Sequence, residues 1–244
     1  VNMSLKELSD RSSRWMPALH PYFQNYPTAI EHGNLLSAMW NTWIIAFLSV
    51  IIIVVAGAMA AYPLARKTSR RNRIILTLIV GVMMVPQLSI LVPLYKEMVS
   101  LKGINHLWGI VIVSATFHLP MAIYMYSNFI KSIPKDLDEA AMIDGCSMMQ
   151  SFFYVILPCL KSTTVSVIIL NGVGIWNDYQ FQLYFLQKPA MRTITLAIST
   201  FFTDSKQDLG AAAAAAFIVV LPPVMAYIFL QKYFVKGAMD SAVK

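Results

Sequence analysis

The stretch Ser132-Ile133-Pro134-Lys135-Asp136-Leu137-Asp138-Glu139-Ala140-Ala141-Met142-Ile143-Asp144-Gly145, running on to Leu157-Pro158, is polar in a chain that is otherwise apolar. The chemistry these residues can do is recognition. Pro134 suits a first helical position, where a missing N–H costs nothing. Asp136, Asp138 and Glu139 then fall in the first turns, where the helix dipole favours negative charge. Gly145 stands where that helix ends and supplies a left-handed residue without steric cost. Ser147 and Gln150 have the Ser-x-x-Gln spacing of a capping box and open a second helix, along which Met148, Phe152, Val155 and Ile156 recur at helical spacing. The pattern predicts helix, turn, helix, with Leu137, Ala140, Ala141 and Ile143 as a narrow apolar edge that a partner protein can grip. The same pattern also fits an ordinary amphipathic helix in a membrane-protein loop.

Other chemistry finds little support. There is no Gly-x-x-x-x-Gly-Lys-Ser/Thr loop, so this chain is not expected to bind ATP itself. The four histidines, at 20, 32, 106 and 118, lack metal-ligand spacing. Cys146 and Cys159 both lie in or beside the polar stretch, and no structural disulfide is expected if that loop is cytoplasmic. Asp178, Asp204 and Asp208 have no matching catalytic partners. No cofactor and no metal are expected in this chain.

Composition sets the class. The chain is 57% hydrophobic and 13% charged, with a mean hydropathy of +0.60, where a soluble domain has about 25% charged residues. The expected fold is an all-α integral membrane protein. Uncharged runs cover 40–62, 74–95, 107–130, a short run after Lys161 and 209–231, which makes five visible transmembrane helices. The 23 residues from 40 to 62 suffice to cross the hydrocarbon core, with Trp40 and Trp43 suited to an interface. Gly57 with Ala61, and Ala56 with Ala60, give small-residue faces for close packing. Arg66, Lys67, Arg70, Arg71 and Arg73 crowd one loop, which the positive-inside rule makes cytoplasmic. That rule accounts for the net charge of +7 better than a nucleic-acid partner does, and none is expected. Counting crossings then places the polar stretch and the C-terminus, with Lys232, Lys236 and Lys244, on the same side.

Individual spans carry further expectations. Pro86 and Pro93 are read as tolerated inside one span. His118, beside Pro120, is read as bonding a released carbonyl rather than substrate. Only 16 uncharged residues separate Lys161 from Asp178, so that helix spans if Lys161 snorkels. Short, Gly-interrupted and polar-tipped, it marks Asn171, Trp176, Asn177 and Tyr179 as candidates for a transport path; an interfacial anchor reads Trp176 and Tyr179 equally well. Ala211–Ala216 permit close helix packing, and Pro222-Pro223 are expected to kink the last span.

The polar stretch also carries a resemblance. Glu139-Ala140-Ala141, three residues, Gly145, nine residues, then Val155-x-Leu157-Pro158 resembles the EAA loop of ABC importer permeases, with Val155 where that family usually has isoleucine. Asn2 to Lys6, Tyr26 to Ile30, Asn41-Thr42, Ala60 to Arg66 (with Pro63 in place of a commoner alanine), Met83 to Pro86, Val92 to Tyr95, Trp176-Asn177 and Val235 to Met239 resemble the carbohydrate-type, maltose-permease-like branch of that family. The resemblance covers residues 26–244.

It implies an external segment over 1–39 and a permease domain over 40–244 with an EAA loop at 132–158. It also implies a family core of six helices, the first missing here; a native five-helix variant is the alternative. The coupling residues it implies are Glu139, Ala140, Ala141, Asp144, Gly145, Leu157 and Pro158. The partners implied are a second permease subunit, a dimer of ATPase subunits that bind the ATP and magnesium, an extracytoplasmic sugar-binding protein, a sugar or oligosaccharide, and the lipid of a bacterial inner membrane. A secondary transporter working alone, or a membrane-embedded transferase, are the competing readings; spans almost free of Asp, Glu, Lys and Arg speak against the first.

Overall fold

The computed structural model describes residues 3–6, 21–203 and 208–242, and side chains there except at 203, 230 and 232–242. Pro17, His20, Asp204 and Lys244 thus lie outside the described residues, and the Lys232 and Lys236 side chains with them. Among the described residues all regular structure is helical. The helices are α1 (Asn25–His32), α2 (Leu35–Arg66), α3 (Arg70–Met83), α4 (Leu91–Ser100), α5 (Leu107–Ser132), α6 (Asp136–Ile143) and α7 (Met148–Ser151). They continue with α8 (Leu157–Cys159), α9 (Lys161–Trp176), α10 (Gln180–Phe185), α11 (Ile194–Thr203) and α12 (Leu209–Ala242).

Leu35–Arg66, Leu107–Ser132 and Leu209–Phe229 are each long and apolar enough to cross a membrane. Two bent pairs pass the same test jointly: Arg70–Met83 with Gln87–Ser100, bent by 93°, and Met148–Cys159 with Lys161–Trp176, bent by 74°. The first pair corrects the straight span expected over 74–95. Pro86 sits extended at φ −60° and ψ 121°, and its ring disfavours helical geometry at Val85, so the helix stops at Met83 rather than absorbing the proline. Pro93 is tolerated because it falls in the first turn of α4. The second pair lengthens the short run after Lys161. α2 overruns its uncharged stretch at both ends, starting at Leu35 and closing on Arg66. α12 runs through Pro222 and Pro223 as one element.

The chain forms two compact units. The first comprises Val1–Ala46, Tyr95–Ile110 and Ile175–Ala226. Its core is built on the alanine run: Ala211, Ala212, Ala214 and Ala215 pack with Ala29, Leu35, Ala38, Ala197 and Phe201. At Gly210 the missing side chain makes room for that of Asn25: an added Cβ would lie 2.7 Å from its amide nitrogen. That amide is already committed, donating to the carbonyls of Ser4 and Lys6 at 2.9 and 2.8 Å. Asn41 donates to the carbonyls of Ala190 and Arg192, both at 3.0 Å, and Thr42 Oγ1 accepts from the Ile194 N–H at 3.0 Å. Polar side chains of α2 thereby satisfy backbone groups of the segment 190–194.

The second unit comprises Phe47–Leu94, Val111–Gly174 and Tyr227–Lys244. Of the two small-residue faces on α2, the one used is Gly57 with Ala61: an added Cβ at Gly57 would lie 3.1 Å from Ala122 Cβ, and Ala61 is fully buried. Tyr126 donates to Thr164 Oγ1 at 3.1 Å. His118 does play a structural role, though with a different carbonyl from the one expected. Its Nδ1 bonds the carbonyl of Ser114 at 3.0 Å, whereas Pro120 frees that of Thr116. The other edge of the ring fills the notch at Gly174, where an added Cβ would lie 2.9 Å from Nε2. Gly174→Ala therefore forces the ring off its Ser114 bond. We expect a loss of about 1–3 kcal/mol, as for an overpacked core, read as a lowered melting temperature of the detergent-solubilised protein. Combining it with His118→Ala recovers most of that loss.

Candidate functional site: the Asp138 helix and its anchor

α6 forms where the sequence directs it, two residues later than Pro134 suggests. Lys135, not Pro134, precedes the helix, and its carbonyl accepts from the N–H groups of Asp138 and Glu139 at 2.9 and 3.1 Å. Asp136, Asp138 and Glu139 occupy the first turn, where their charge opposes the helix dipole. Gly145 follows at φ +85°, a conformation that costs a Cβ-bearing residue energy and glycine almost none. The capping box closes as expected: Ser147 Oγ accepts from the Gln150 N–H at 3.3 Å, and Gln150 Oε1 accepts from the Ser147 N–H at 2.8 Å. Beyond Ser151 the backbone widens into a π-helical stretch, Phe152–Ile156, before Leu157-Pro158. Helical spacing alone gave no sign of that widening.

The two sides of α6 differ. Asp138 and Ala141 are its buried residues, which removes Ala141 from the apolar edge expected of it. Leu137, Met142 and Ile143 are 41%, 50% and 86% exposed, and Glu139 and Ala140 are exposed too. Uncovered apolar side chains on a short, charge-capped helix are what a protein-docking surface offers. Among the other expected coupling residues, Asp144 and Gly145 are exposed at the turn, and Leu157 and Pro158 open the turn that leads to the 74° bend. Cys146 and Cys159 are free thiols.

Sequence reasoning missed what secures the buried side. Asp138 Oδ1 accepts from the Tyr62 hydroxyl at 2.5 Å and from Ser151 Oγ at 3.2 Å. Its Oδ2 lies 2.7 Å from Arg66 Nη2, each side chain being 9% exposed. That contact is off hydrogen-bond angle, so its attraction is Coulombic, strengthened by low local dielectric. Arg66 Nη1 donates to the carbonyls of Ile130 and Ile133, at 3.0 and 2.8 Å, at the end of α5. Tyr62 also packs on Phe152, ring centroids 5.1 Å apart. One carboxylate and one guanidinium thus tie together the end of α2, the end of α5, α6 and the end of α7. Arg66 belongs to this joint rather than to the exposed cationic loop. The available signal was Tyr62 and Arg66 at i, i+4, one face of a single helix.

The candidate path residues are placed as follows. Asn171 is buried, and its Nδ2 donates to the Val167 carbonyl at 2.7 Å within α9. Trp176 is buried against Ile194 and Val219, its indole N–H without a hydrogen-bond partner. Asn177 is exposed and Tyr179 is 40% exposed. Burial pushes the Asp178 carboxyl above the usual carboxylate range, while the amides of Phe181, Gln180 and Gln182 pull it the other way. Gln182, a buried residue not anticipated, collects hydroxyl contacts from Thr193 and Thr195. Among the described residues no group of His, Cys, Asp and Glu side chains could hold a metal.

Comparison with known proteins agrees with this architecture. Residues 52–239 match the family model described as the binding-protein-dependent transport system inner membrane component. The melibiose/raffinose/stachyose import permease protein MelC of Bacillus subtilis is 38% identical, over 100% of this chain and 89% of that protein. A probable starch degradation products transport system permease protein, AmyC of Thermoanaerobacterium thermosulfurigenes, is 34% identical, over 90% of this chain and 80% of its own. A chain in the crystal structure of a bacterial ABC transporter involved in import of the acidic polysaccharide alginate superposes with a TM-score of 0.80 at 19% identity, covering 96% of this chain and 88% of that one. The chain belongs to the family of binding-protein-dependent transport system inner membrane components, the multi-pass permease subunits of ABC importers.

Proposed function

We propose that this chain is one of two related permease subunits of an ATP-driven sugar or oligosaccharide importer, and that α6 is the element through which it is driven. The observation that carries the reading is the two-sidedness of α6: apolar and exposed on one side, tied by Asp138 to Arg66 on the other. The sugars named for its relatives support the substrate class. The permease domain spans 40–244 and crosses the membrane five times, each bent pair counting once. The coupling loop, 132–158, and the C-terminus face the cytoplasm, and an extracytoplasmic binding protein delivers substrate from the other side. Two partner ATPase subunits bind the ATP and magnesium. Closure of the ATPase dimer pushes on Leu137, Ala140, Met142 and Ile143, Glu139 pairs with a basic group of the ATPase, and rigid-body motion turns the cavity from inward- to outward-facing. Asn171, Trp176, Asn177 and Tyr179 serve the sugar path; Asn171 keeps its side-chain oxygen and one amide N–H for it, the other N–H being bonded to the Val167 carbonyl.

The test is disulfide crosslinking in the assembled importer. Met142→Cys, with Cys146 and Cys159 replaced, is probed against cysteines placed over the ATPase surface, with and without ATP. A crosslink whose yield changes with nucleotide is the expected result. Absence of a crosslink from correctly inserted protein, or uptake that persists without ATP hydrolysis and collapses with the ion gradient, overturns it.

A further inference from the structure

We propose that a cationic cleft between α3 and α5 binds the phosphate headgroup of an anionic phospholipid. The cleft encloses about 750 Å³ within the second unit. Lys67, Arg70, Arg73 and Lys131 stand around it, and no carboxylate belongs to its lining. Among the described residues none of these four cations is paired with an acid. Four like charges with nothing between them repel one another, and an anion seated among them relieves that repulsion.

The two walls are graded in the same sense. Along α3 the lining residues run from Arg70 and Arg73 to Leu76, Thr77 and Val80. Along α5 they run from Lys131 through Asn128 and Ser127 to Tyr124. The α3 wall passes from cations to a mainly apolar surface, and the α5 wall passes from cation through amide and hydroxyl to aromatic surface. That is the order of groups met along a phospholipid, from phosphate to glycerol to acyl chain. Ser127 adds an independent observation: it is 1% exposed, lines the cleft, and its hydroxyl has no hydrogen-bond partner. A buried hydroxyl is costly unless bonded, and a glycerol or phosphate oxygen at the cleft's waist supplies the bond. Ser69 caps the start of α3, so the positive end of that helix adds to the attraction. Leu64, Leu76 and Val80 favour a lipid over a free anion, which has no use for apolar walls.

The test uses the whole importer in phosphatidylcholine vesicles. These are doped with phosphatidylglycerol carrying a diazirine near the glycerol end of one acyl chain, or with phosphatidylcholine carrying the same group. Adducts are mapped on peptides covering 64–80 and 124–131. We expect phosphatidylglycerol to label these peptides about tenfold more than phosphatidylcholine, in line with the pull of a few basic side chains on an anionic lipid. Arg70→Gln/Arg73→Gln/Lys131→Gln abolishes the excess, and Ser127→Ala lowers it about threefold, as loss of one hydrogen bond does. Equal labelling by the two lipids overturns the proposal, as does an excess that survives the triple variant. Displacement of the excess by millimolar glycerol phosphate reduces the cleft to a soluble-anion site and overturns the lipid assignment. Absence of label from both lipids, with the cleft cysteine-crosslinked to the second permease subunit, shows protein in its place and overturns it as well.

Discussion

Asp138→Asn unfolds the importer at markedly lower temperature than wild type and lowers ATP-driven uptake about tenfold or more. The substitution keeps size and keeps an oxygen to accept from Tyr62 and Ser151; what it removes is charge. Arg66 is then left buried without its counter-ion. Breaking a buried pair from one side costs about 3–5 kcal/mol, because the remaining charge is uncompensated. Arg66→Lys is milder: it keeps the charge, yet one ammonium replaces the fork that reaches two carbonyls and a carboxylate together. Exchanging the two residues does not rescue, since a carboxylate at 66 cannot donate to the carbonyls of Ile130 and Ile133. Thermal melting and sugar uptake into proteoliposomes check all three variants. An Asp138→Asn protein that melts and transports like wild type sinks the anchor.

Gly145→Pro gives the second large effect, and by a different route. Proline fixes φ near −65°, whereas the turn needs +85°, and it deletes the N–H that donates to the Met142 carbonyl at 3.1 Å. No atom lies within 4 Å of an added Cβ, so crowding plays no part, and the effect comes from backbone conformation and the lost N–H. The expected phenotype is a permease present in the membrane at near-normal level, with uptake reduced about tenfold or more and the crosslink from position 142 lost. Gly145→Asn, which tolerates left-handed geometry, retains much of the activity, and Gly145→Val falls between the two. Normal transport by the proline variant removes α6 from the coupling step.

The helix, turn and helix from 136 to 151 were legible because their signals are local. Acid in the first turn, a glycine at the stop and a Ser-x-x-Gln box each act within a few residues, so one reading of the chain finds them. Arg66 and Asp138 were not legible as a pair. They lie far apart in sequence, and a cation that opens a run of cations reads as solvated. The 93° bend was missed because hydropathy registers that a run is apolar, not that Val85 leaves the helix at Pro86. Asn171 was read as a path residue for its polarity, and that polarity did not reveal that one of its two amide N–H groups is bonded to the Val167 carbonyl within α9. Burial of the alanine run was foreseeable; its companions, Ala29, Ala38 and Phe201, were not, since they come from distant helices.

The π-helical stretch between Ser151 and Leu157 bears on how such loops tolerate change in length. A π turn accommodates roughly one residue more than an α turn over the same rise. Phe152–Ile156 is therefore a place where the chain carries slack. Deleting Tyr154, which is 74% exposed, lets the stretch tighten to an α-helix while Phe152 keeps its stacking on Tyr62 and Leu157-Pro158 keeps its phase with α9.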